Sequence, residues 1–168
     1  MKSHRAIQGA GLRRPAVLAR LLIAFLAAGS LVAQDVQLPL KTIEVKRFTQ
    51  AEGAGLSQDF LNLFYDGLCA ELAKTKIAER YVEDGATVPE ADAANSVIVE
   101  GKVLEKSSGF VGSVHLEINL YRRSDHKLIK TITPKVAYKT SVFNKDKNVG
   151  ENTGRRTASE IQRALKKK

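Results

Sequence analysis

Residues 97–121 read VIVEGKVLEKSSGFVGSVHLEINLY, and this stretch decides the fold. Val97–Leu104 begins with consecutive apolar residues, which is typical of a central strand that is buried on both faces. Val114–Tyr121 alternates apolar and polar residues, as a strand with one buried face does. The serines and glycines between the two segments predict a hairpin. The side chains predicted to be buried on the second strand are Val114, Leu116, Ile118 and Leu120.

Upstream of the hairpin the pattern predicts a strand, a helix and a weaker strand. Lys41–Lys46 alternates as a half-buried strand does, and Ser57 is a plausible helix N-cap. The helix is predicted to end near Lys74–Lys76, and Ala78–Val82 is a candidate short strand. A single turn of helix is expected near Pro89, in an otherwise loop-like segment. The apolar stripe of the helix has spacings of three and four residues: Phe60, Leu61, Phe64, Leu68 and Leu72.

Downstream of the hairpin the sequence predicts one more strand and a closing helix. Ser124–His126 forms a turn before a strand over Lys127–Thr133. Pro134 cannot donate a ladder hydrogen bond, so this last strand is predicted to lie at an edge or to carry a bulge. Phe143–Gly154 is polar and contains glycine, which favours a loop, and Thr157–Leu165 can form the helix. The order of elements predicts an α+β fold, with a mostly antiparallel sheet of four to five strands and two helices packed on one face.

The first 33 residues have the layout of a secretory signal peptide. A basic head without acidic residues precedes the apolar run Leu21–Ala33, which is shorter than the roughly 20 residues of a membrane span. Cleavage is favoured over a retained N-terminal anchor and is expected after Ala33, with Ser30 as the competing site. No cysteine lies near the end of the run, so we expect a soluble exported domain over residues 34–168 with no transmembrane span after cleavage. It would be periplasmic in a host with two membranes and otherwise secreted.

The net charge of +9 is unevenly distributed along the chain. The leader holds five basic residues and no acidic one, which leaves +4 on the exported domain. Four basic residues of the tail match this excess, and Gln34–Gln162 is balanced. Nucleic-acid binding, which needs clustered basic residues, is therefore disfavoured. The tail is expected to be a frayed helix end, or else a weak contact for an anionic envelope surface. Its basic residues are Arg163, Lys166, Lys167 and Lys168.

No catalytic, cofactor-binding or metal-binding residue is predicted. Cys69 is the only cysteine and is expected to be a small buried apolar residue, with an intermolecular bridge or a reactive thiol as the alternatives. His115 and His126 lack the spacing of metal ligands and are expected to be ordinary surface or partly buried residues. The sequence contains no Gly-x-Ser-x-Gly elbow and no phosphate loop. Glu100 and Glu105 are predicted on opposite faces of one strand, which argues against a glycosidase pair.

Three segments carry a resemblance to a known family. They are Lys41–Phe48 with the helix that follows, Asn95–Val103, and Val114–Tyr121 with the turn after it. They resemble the bacterial exported family called domain of unknown function 4410 and, more distantly, the N-terminal domain of the Tol-system protein TolB and the curli secretion lipoprotein CsgG. This chain has Asn95-Ser96 where Ala-Asp is usual, His126 where the turn glycine is usual, and no lipidation cysteine. The resemblance implies an envelope accessory or assembly protein, with no catalytic residues to transfer.

The favoured interpretation is a non-enzymatic envelope protein that binds a partner protein. The contact would use the sheet edge near Pro134 or the Phe143–Gly154 loop, and changes at Val136 or Tyr138 are expected to remove binding. A small-ligand or polysaccharide-binding module is the alternative, and a hydrolase is the least favoured. The alternative needs two tyrosines in one cavity, from the set Tyr65, Tyr81, Tyr121 and Tyr138. The hydrolase needs His115 or His126 within hydrogen-bond reach of a serine or carboxylate.

Overall fold

A computed structural model describes residues 37–107, 111–139 and 147–167 of the chain. The predicted leader over residues 1–33, with both candidate cleavage sites, lies outside the described residues. Lys168 lies outside them too, as do the tip of the first hairpin and the first part of the predicted Phe143–Gly154 loop.

The described residues form seven strands, two α-helices and one 3-10 helix. In chain order they are β1 (Leu40–Val45), β2 (Thr49–Gln50), α1 (Gln58–Lys74), β3 (Ala78–Glu83), the 3-10 helix (Glu90–Asn95), β4 (Ser96–Ser107), β5 (Val111–Arg122), β6 (Leu128–Ile132), β7 (Lys135–Lys139) and α2 (Lys147–Lys166).

The strands form one mixed sheet with the order β3-β1-β4-β5-β6. β1 is parallel to both β3 and β4, whereas β5 is antiparallel to β4, β6 and β7. The predicted α+β class and the central β4–β5 hairpin are confirmed, but the prediction of a mostly antiparallel sheet of four to five strands is wrong. α1 returns the chain to the end of the sheet at which β1 begins, so β3 runs parallel to β1. The segment with the 3-10 helix makes the same return before β4, which is therefore also parallel to β1. β2 continues beyond β1 along β4, and β7 continues beyond β6 along β5.

The predicted first helix is confirmed, and its cap accounts for where it begins. The Phe60 N–H donates to Ser57 Oγ at 3.2 Å, which satisfies one of the free donors of the first turn. Lys74 lies in the last turn, at the negative end of the helix dipole. The apolar stripe of α1 is buried against the sheet face that carries Val114, Leu116, Ile118 and Leu120, as the alternation predicts.

A glycine in the middle of β4 has a packing reason. The Phe48 ring lies directly over Gly101, where a Cβ atom would overlap the ring. The same ring contacts Phe64 of α1, with the ring centroids 5.2 Å apart. Gly101 thus lets an aromatic side chain join the sheet to the helix without distorting the strand.

The predicted loop over Phe143–Gly154 is wrong from Lys147 onward, because α2 begins there. Gly150 and Gly154, which favoured a loop, lie against the main chain of α1. A Cβ atom at Gly154 would overlap Phe64 O, and one at Gly67 of α1 would overlap the main chain of Glu151. The two helices therefore pack at near-backbone contact, and Ala158 and Ile161 of α2 join the same core, as expected for helices on one face.

Candidate interaction edge of the sheet

β6 and β7 together form one edge of the sheet. Ile118 pairs with Ile132 and His115 pairs with Lys135, so the register along β5 is unchanged across the break at Pro134. The Leu116 N–H donates to Pro134 O at 3.1 Å, but proline has no N–H with which to return the bond. The prediction of an edge strand at Pro134 is confirmed. We call Leu128–Lys139 the β6–β7 edge.

The outer side of this edge carries main-chain groups that point away from β5. Because Pro134 O accepts from β5, the main-chain groups of every second residue from Pro134 also face β5. Those of Thr131, Thr133 and Lys135 point the other way. No described residue forms a hydrogen bond with these outward groups, and all three side chains are exposed. Such a row of free donors and acceptors is a template for pairing with another chain.

α2 accompanies the edge and brings basic side chains to it. Lys130 Nζ donates to Ala164 O at 3.2 Å, near the C-terminal end of α2, where a cation is favourable. Arg156 Nη1 donates to Ala137 O of β7. A cavity of about 330 Å³ between β7 and the first half of α2 is lined by Lys139, Arg155 and Arg156 among others. A second one of about 290 Å³ lies between β6 and the end of α2, with Lys130, Arg163 and Lys167 in its wall.

The edge and α2 belong to a strongly basic part of the chain. Residues 128–168 hold eleven basic and three acidic residues, whereas residues 34–127 hold eleven basic and fifteen acidic ones. The sequence-based interpretation that the excess charge comes only from the tail is therefore wrong. The tail residues Arg163 and Lys166 lie within α2 and continue a basic surface that begins on β6 and β7. Counting charges element by element, rather than over Gln34–Gln162 as a whole, would have revealed it.

One end of the edge is apolar. Leu128 and Ile129 of β6 are 49% and 38% exposed. His126, in the preceding turn, has φ 52° and stacks on Tyr121 with the ring centroids 4.6 Å apart. A positive φ is unusual for a residue other than glycine. The edge thus combines free main-chain groups, exposed apolar side chains and positive charge.

The two histidines do not assemble a catalytic arrangement. His126 Nε2 lies 3.6 Å from Glu100 Oε1, and His115 Nδ1 lies 3.8 Å from Glu105 Oε2. Both histidines are solvent-accessible, and neither lines one of the cavities described here. Each histidine has one carboxylate near it, but both nitrogen–oxygen distances are longer than a hydrogen bond.

The prediction that Glu100 and Glu105 lie on opposite faces of β4 is wrong. Glu100 pairs with Asn119 and Glu105 pairs with His115, and both partners are on the same face of β5. The register shifts between Val103 and Glu105, so Leu104 is an extra residue in a β-bulge and reverses the alternation. The two carboxylates are still separated by about 13 Å of strand, at roughly 3.3 Å per residue, which is too far for a glycosidase pair.

The four tyrosines do not line a common cavity among those described. Tyr81 lines a cavity of about 390 Å³ between α1 and β3. Tyr138 lines the cavity beside β7, Tyr121 stacks on a histidine, and Tyr65 is buried with its hydroxyl donating to Val45 O at 3.0 Å. The condition set for a ligand-binding module, two tyrosines in one cavity, is not met here.

Cys69 lines the cavity between α1 and β3 as a half-buried free thiol. Burial raises the pKa of this thiol to about 11. The thiol is therefore protonated at neutral pH and a poor nucleophile. This agrees with the predicted role as a small apolar residue, although the side chain is less buried than expected.

Several charged residues on and around the opposite edge, β3, are paired. Lys41 Nζ lies 2.7 Å from Glu79 Oε1, and Arg80 forms an ion pair with Asp92 of the 3-10 helix. Glu44 of the neighbouring β1, with its side chain 3% exposed, faces Lys46 at 2.6 Å and also pairs with Arg123. Lys46 in turn lies 3.0 Å from Asp84, at the end of β3. These charges are compensated within the fold.

Among the residues that the structure describes, no group of three or more histidine, cysteine, aspartate or glutamate side chains is placed to hold a metal ion. Within the same residues, neither helix has the length and apolar character needed to cross a membrane. The absence of cofactor and metal remains a prediction from the sequence.

Comparison with known proteins identifies the fold but not a family. No protein-family model matches the sequence, and no curated protein matches it. A Xanthomonas campestris protein described as DUF330 is 13% identical, with a TM-score of 0.51 over 73% of this chain and 81% of its own. An uncharacterized protein is 12% identical, with a TM-score of 0.50 over 77% of this chain and 95% of its own. PelC from Paraburkholderia phytofirmans, 13% identical, reaches 0.46 over 73% of this chain and 90% of its own, too weak a likeness to support an inference.

The structural matches show that this fold occurs among bacterial proteins of unknown function. The finer resemblance to the 4410 family is supported by the three sequence segments alone.

Proposed function

We propose that this chain is a non-enzymatic exported protein of the cell envelope that binds another protein through its β6–β7 edge. The observation that carries the proposal is the row of unpaired outward main-chain groups at Thr131, Thr133 and Lys135. An extended segment of a partner can pair with such groups as an added strand, with the main chain giving affinity and the side chains giving specificity.

The surroundings of the edge support this proposal. Leu128 and Ile129 offer apolar contact area at one end of the strand. The exposed histidines, each near a single carboxylate, offer no arrangement for hydrolysis. The signal-like leader supports export, and the resemblance to the 4410 family supports an accessory role in envelope assembly or secretion.

The structure changes which residues should be altered to test the edge. Val136 and Tyr138 are buried, and their main chains face β5, so proline there would break the ladder and the core. Thr131→Pro instead removes an outward N–H and leaves the bonds to β5 in place. Thr131→Ala is the matched control, because it loses the same hydroxyl bond to Asn119 but keeps the N–H.

The experiment places a photo-cross-linking side chain at Thr133 of the full chain in its native cell envelope. We expect one dominant envelope protein to be captured, with capture lost in Thr131→Pro and retained in Thr131→Ala. A cross-linker at exposed Lys76, in the turn between α1 and β3, should not capture it. A circular dichroism melt shows that each variant is folded. Equal capture at both positions, or capture that survives Thr131→Pro, would contradict the proposal.

A further inference from the structure

The charge along the β6–β7 edge indicates what kind of segment the edge accepts. We infer that the partner contributes an extended acidic segment, which pairs with the outward groups of the edge while its carboxylates face the basic side chains on either side. This inference rests on the proposed function, since it names the chemistry of the segment that binds the same site.

Positive charge flanks the edge on both faces of the sheet. On the helix face, Lys130 and Arg156 are held by main-chain oxygens rather than by carboxylates, so their charges are not neutralised. On the other face Lys135 is exposed beside His115, its partner on β5. Because the side chains of an added strand alternate between the two faces, carboxylates on either face would meet a basic side chain.

Few acidic residues of the edge and of α2 compete for these cations, and Glu117 of β5 lies opposite Thr133 on the face that carries Lys135. In the described part of β6, β7 and α2, the acidic side chains are Glu151, paired with Arg155, and Glu160, paired with Arg163. Lys135 and Lys139 form no ion pair with a described residue. An incoming carboxylate would therefore gain attraction without displacing an existing pair, and such complementarity favours both association rate and register.

A polypeptide fits this edge better than another polyanion or a second copy of the chain. The free N–H and C=O groups at Thr131, Thr133 and Lys135 alternate at the spacing of a β-strand, which a polysaccharide or lipid headgroup does not reproduce. The β3 edge of a second copy is a poor match, because Glu79 and Asp92 are already paired within their own chain.

The test measures peptide binding to the purified exported protein by fluorescence anisotropy. The probes are a ten-residue peptide of alternating threonine and glutamate, a matched peptide of threonine and lysine, and dextran sulfate as a competitor. We expect the acidic peptide to bind at least about tenfold more tightly than the basic one, with the difference shrinking between about 0.05 M and about 0.5 M salt.

Two pairs of variants separate edge charge from net charge. Lys135→Glu with Lys139→Glu should weaken binding of the acidic peptide about tenfold or more. Lys74→Glu with Lys76→Glu makes the same change in net charge at exposed sites at the end of α1 and in the turn before β3, and should weaken binding less than about threefold. Thr131→Pro should abolish binding, whereas Thr131→Ala should not.

The outcomes distinguish this inference from the proposed function. If Thr131→Pro removes the cellular cross-link but acidic and basic peptides bind equally, the acidic specificity is wrong and edge binding stands. If the acidic peptide binds Thr131→Pro as it binds the wild type, and dextran sulfate displaces it, the surface binds polyanions generally. That result would overturn both the strand pairing and the inference built on it.

Discussion

The two edges of the sheet are both rich in charged residues, yet they use the charges differently. Around β3, Glu79, Asp84 and Asp92 each have a basic partner within the fold. Along the β6–β7 edge, Lys130 and Arg156 bind main-chain oxygens, and Lys135 has no described ion-pair partner. The comparison teaches that the net charge of residues 34–168 is a poor guide to their surface, because the charges at Glu79, Asp84 and Asp92 are neutralised within the fold and those at Lys130, Arg156 and Lys135 are not.

The charged residues around β3 link elements of the fold, whereas those along the β6–β7 edge are placed to contact a partner. The pairs around β3 connect elements that are neighbours in space. Arg80 of β3 pairs with the 3-10 helix, and Lys46, which follows β1, pairs with the residue after β3. Exposed pairs of this kind contribute little stability each, about 0 to 1 kcal/mol, but each paired charge is neutralised within the fold. The β6–β7 edge keeps its charge because α2 supplies arginines and lysines and almost no acids.

The largest expected effect comes from displacing α2, which would destroy the basic flank of one edge and leave the other intact. Gly154→Ala adds a Cβ atom that overlaps Phe64 O, and this main-chain atom cannot move aside without separating the helices. We expect the free energy of unfolding to fall by about 3 kcal/mol. Urea denaturation followed by circular dichroism measures it.

Ser159→Ala is the matched control for this variant, on the exposed face of the same helix. It should change the free energy of unfolding by less than about 0.5 kcal/mol. If Gly154→Ala proves as mild as this control, the near-backbone contact between the helices is wrong, and with it the position of α2 beside the edge.

The second prediction concerns how burial affects the contribution of the ion pairs beside β3 to the free energy of unfolding. Glu44→Gln leaves Arg123 and Lys46 without the carboxylate they share, and we expect a loss of about 2 kcal/mol, because both cations are partly buried. Glu79→Gln breaks an exposed pair with Lys41, which solvent screens, and should lower the free energy of unfolding far less. Urea unfolding at neutral pH measures both. Equal losses would mean that burial does not distinguish these pairs.

Most elements of the fold could be predicted because they follow from local pattern. The alternation of Val114–Tyr121 and the stripe of α1 each place side chains on the correct face, and Ser57 marks where α1 begins. Parallel pairing of β1 with β3 and β4 could not be predicted, because it depends on how far connections carry the chain. Gly150 and Gly154 suggested a loop in the sequence. Their role, which is to let α2 approach the main chain of α1, can be recognised only from the packing of the two helices.

The position of the candidate edge could be predicted from the sequence, but which of its residues face outward could not. Pro134 marked an edge, since the absence of an N–H is a property of the residue itself. The direction in which Val136 and Tyr138 face depends on the register with β5, so the residues first chosen for a test were the buried ones. The Leu104 bulge likewise reverses which residues of β4 share a face, and nothing in the local sequence indicates it.

The smallest expected effect concerns Asp84, at the end of β3. Lys46 Nζ donates to Asp84 Oδ1 at 3.0 Å and the Arg47 N–H donates to Oδ2 at 3.3 Å, and these bonds hold the pKa of the carboxyl below its ordinary value of 3.8. A lowered pKa in the folded state means that the contribution is complete above about pH 4 and is lost as the pH falls through the folded-state pKa.

Asp84→Asn should therefore cost stability at neutral pH and little at low pH. Because the side chain is 38% exposed, solvent screens the pair, and we expect only a few tenths of a kcal/mol, about 0.3, at pH 7. Urea midpoints of the variant and the wild type should converge as the pH falls below the folded-state pKa of Asp84, which lies below the ordinary 3.8. Glu52→Gln, at an exposed loop residue with no ion pair to a described side chain, is the control. If the difference in urea midpoint between Asp84→Asn and the wild type does not change with pH, the charge of Asp84 does not stabilise this edge. The neutral contacts between β1 and β3 would then account for its stability.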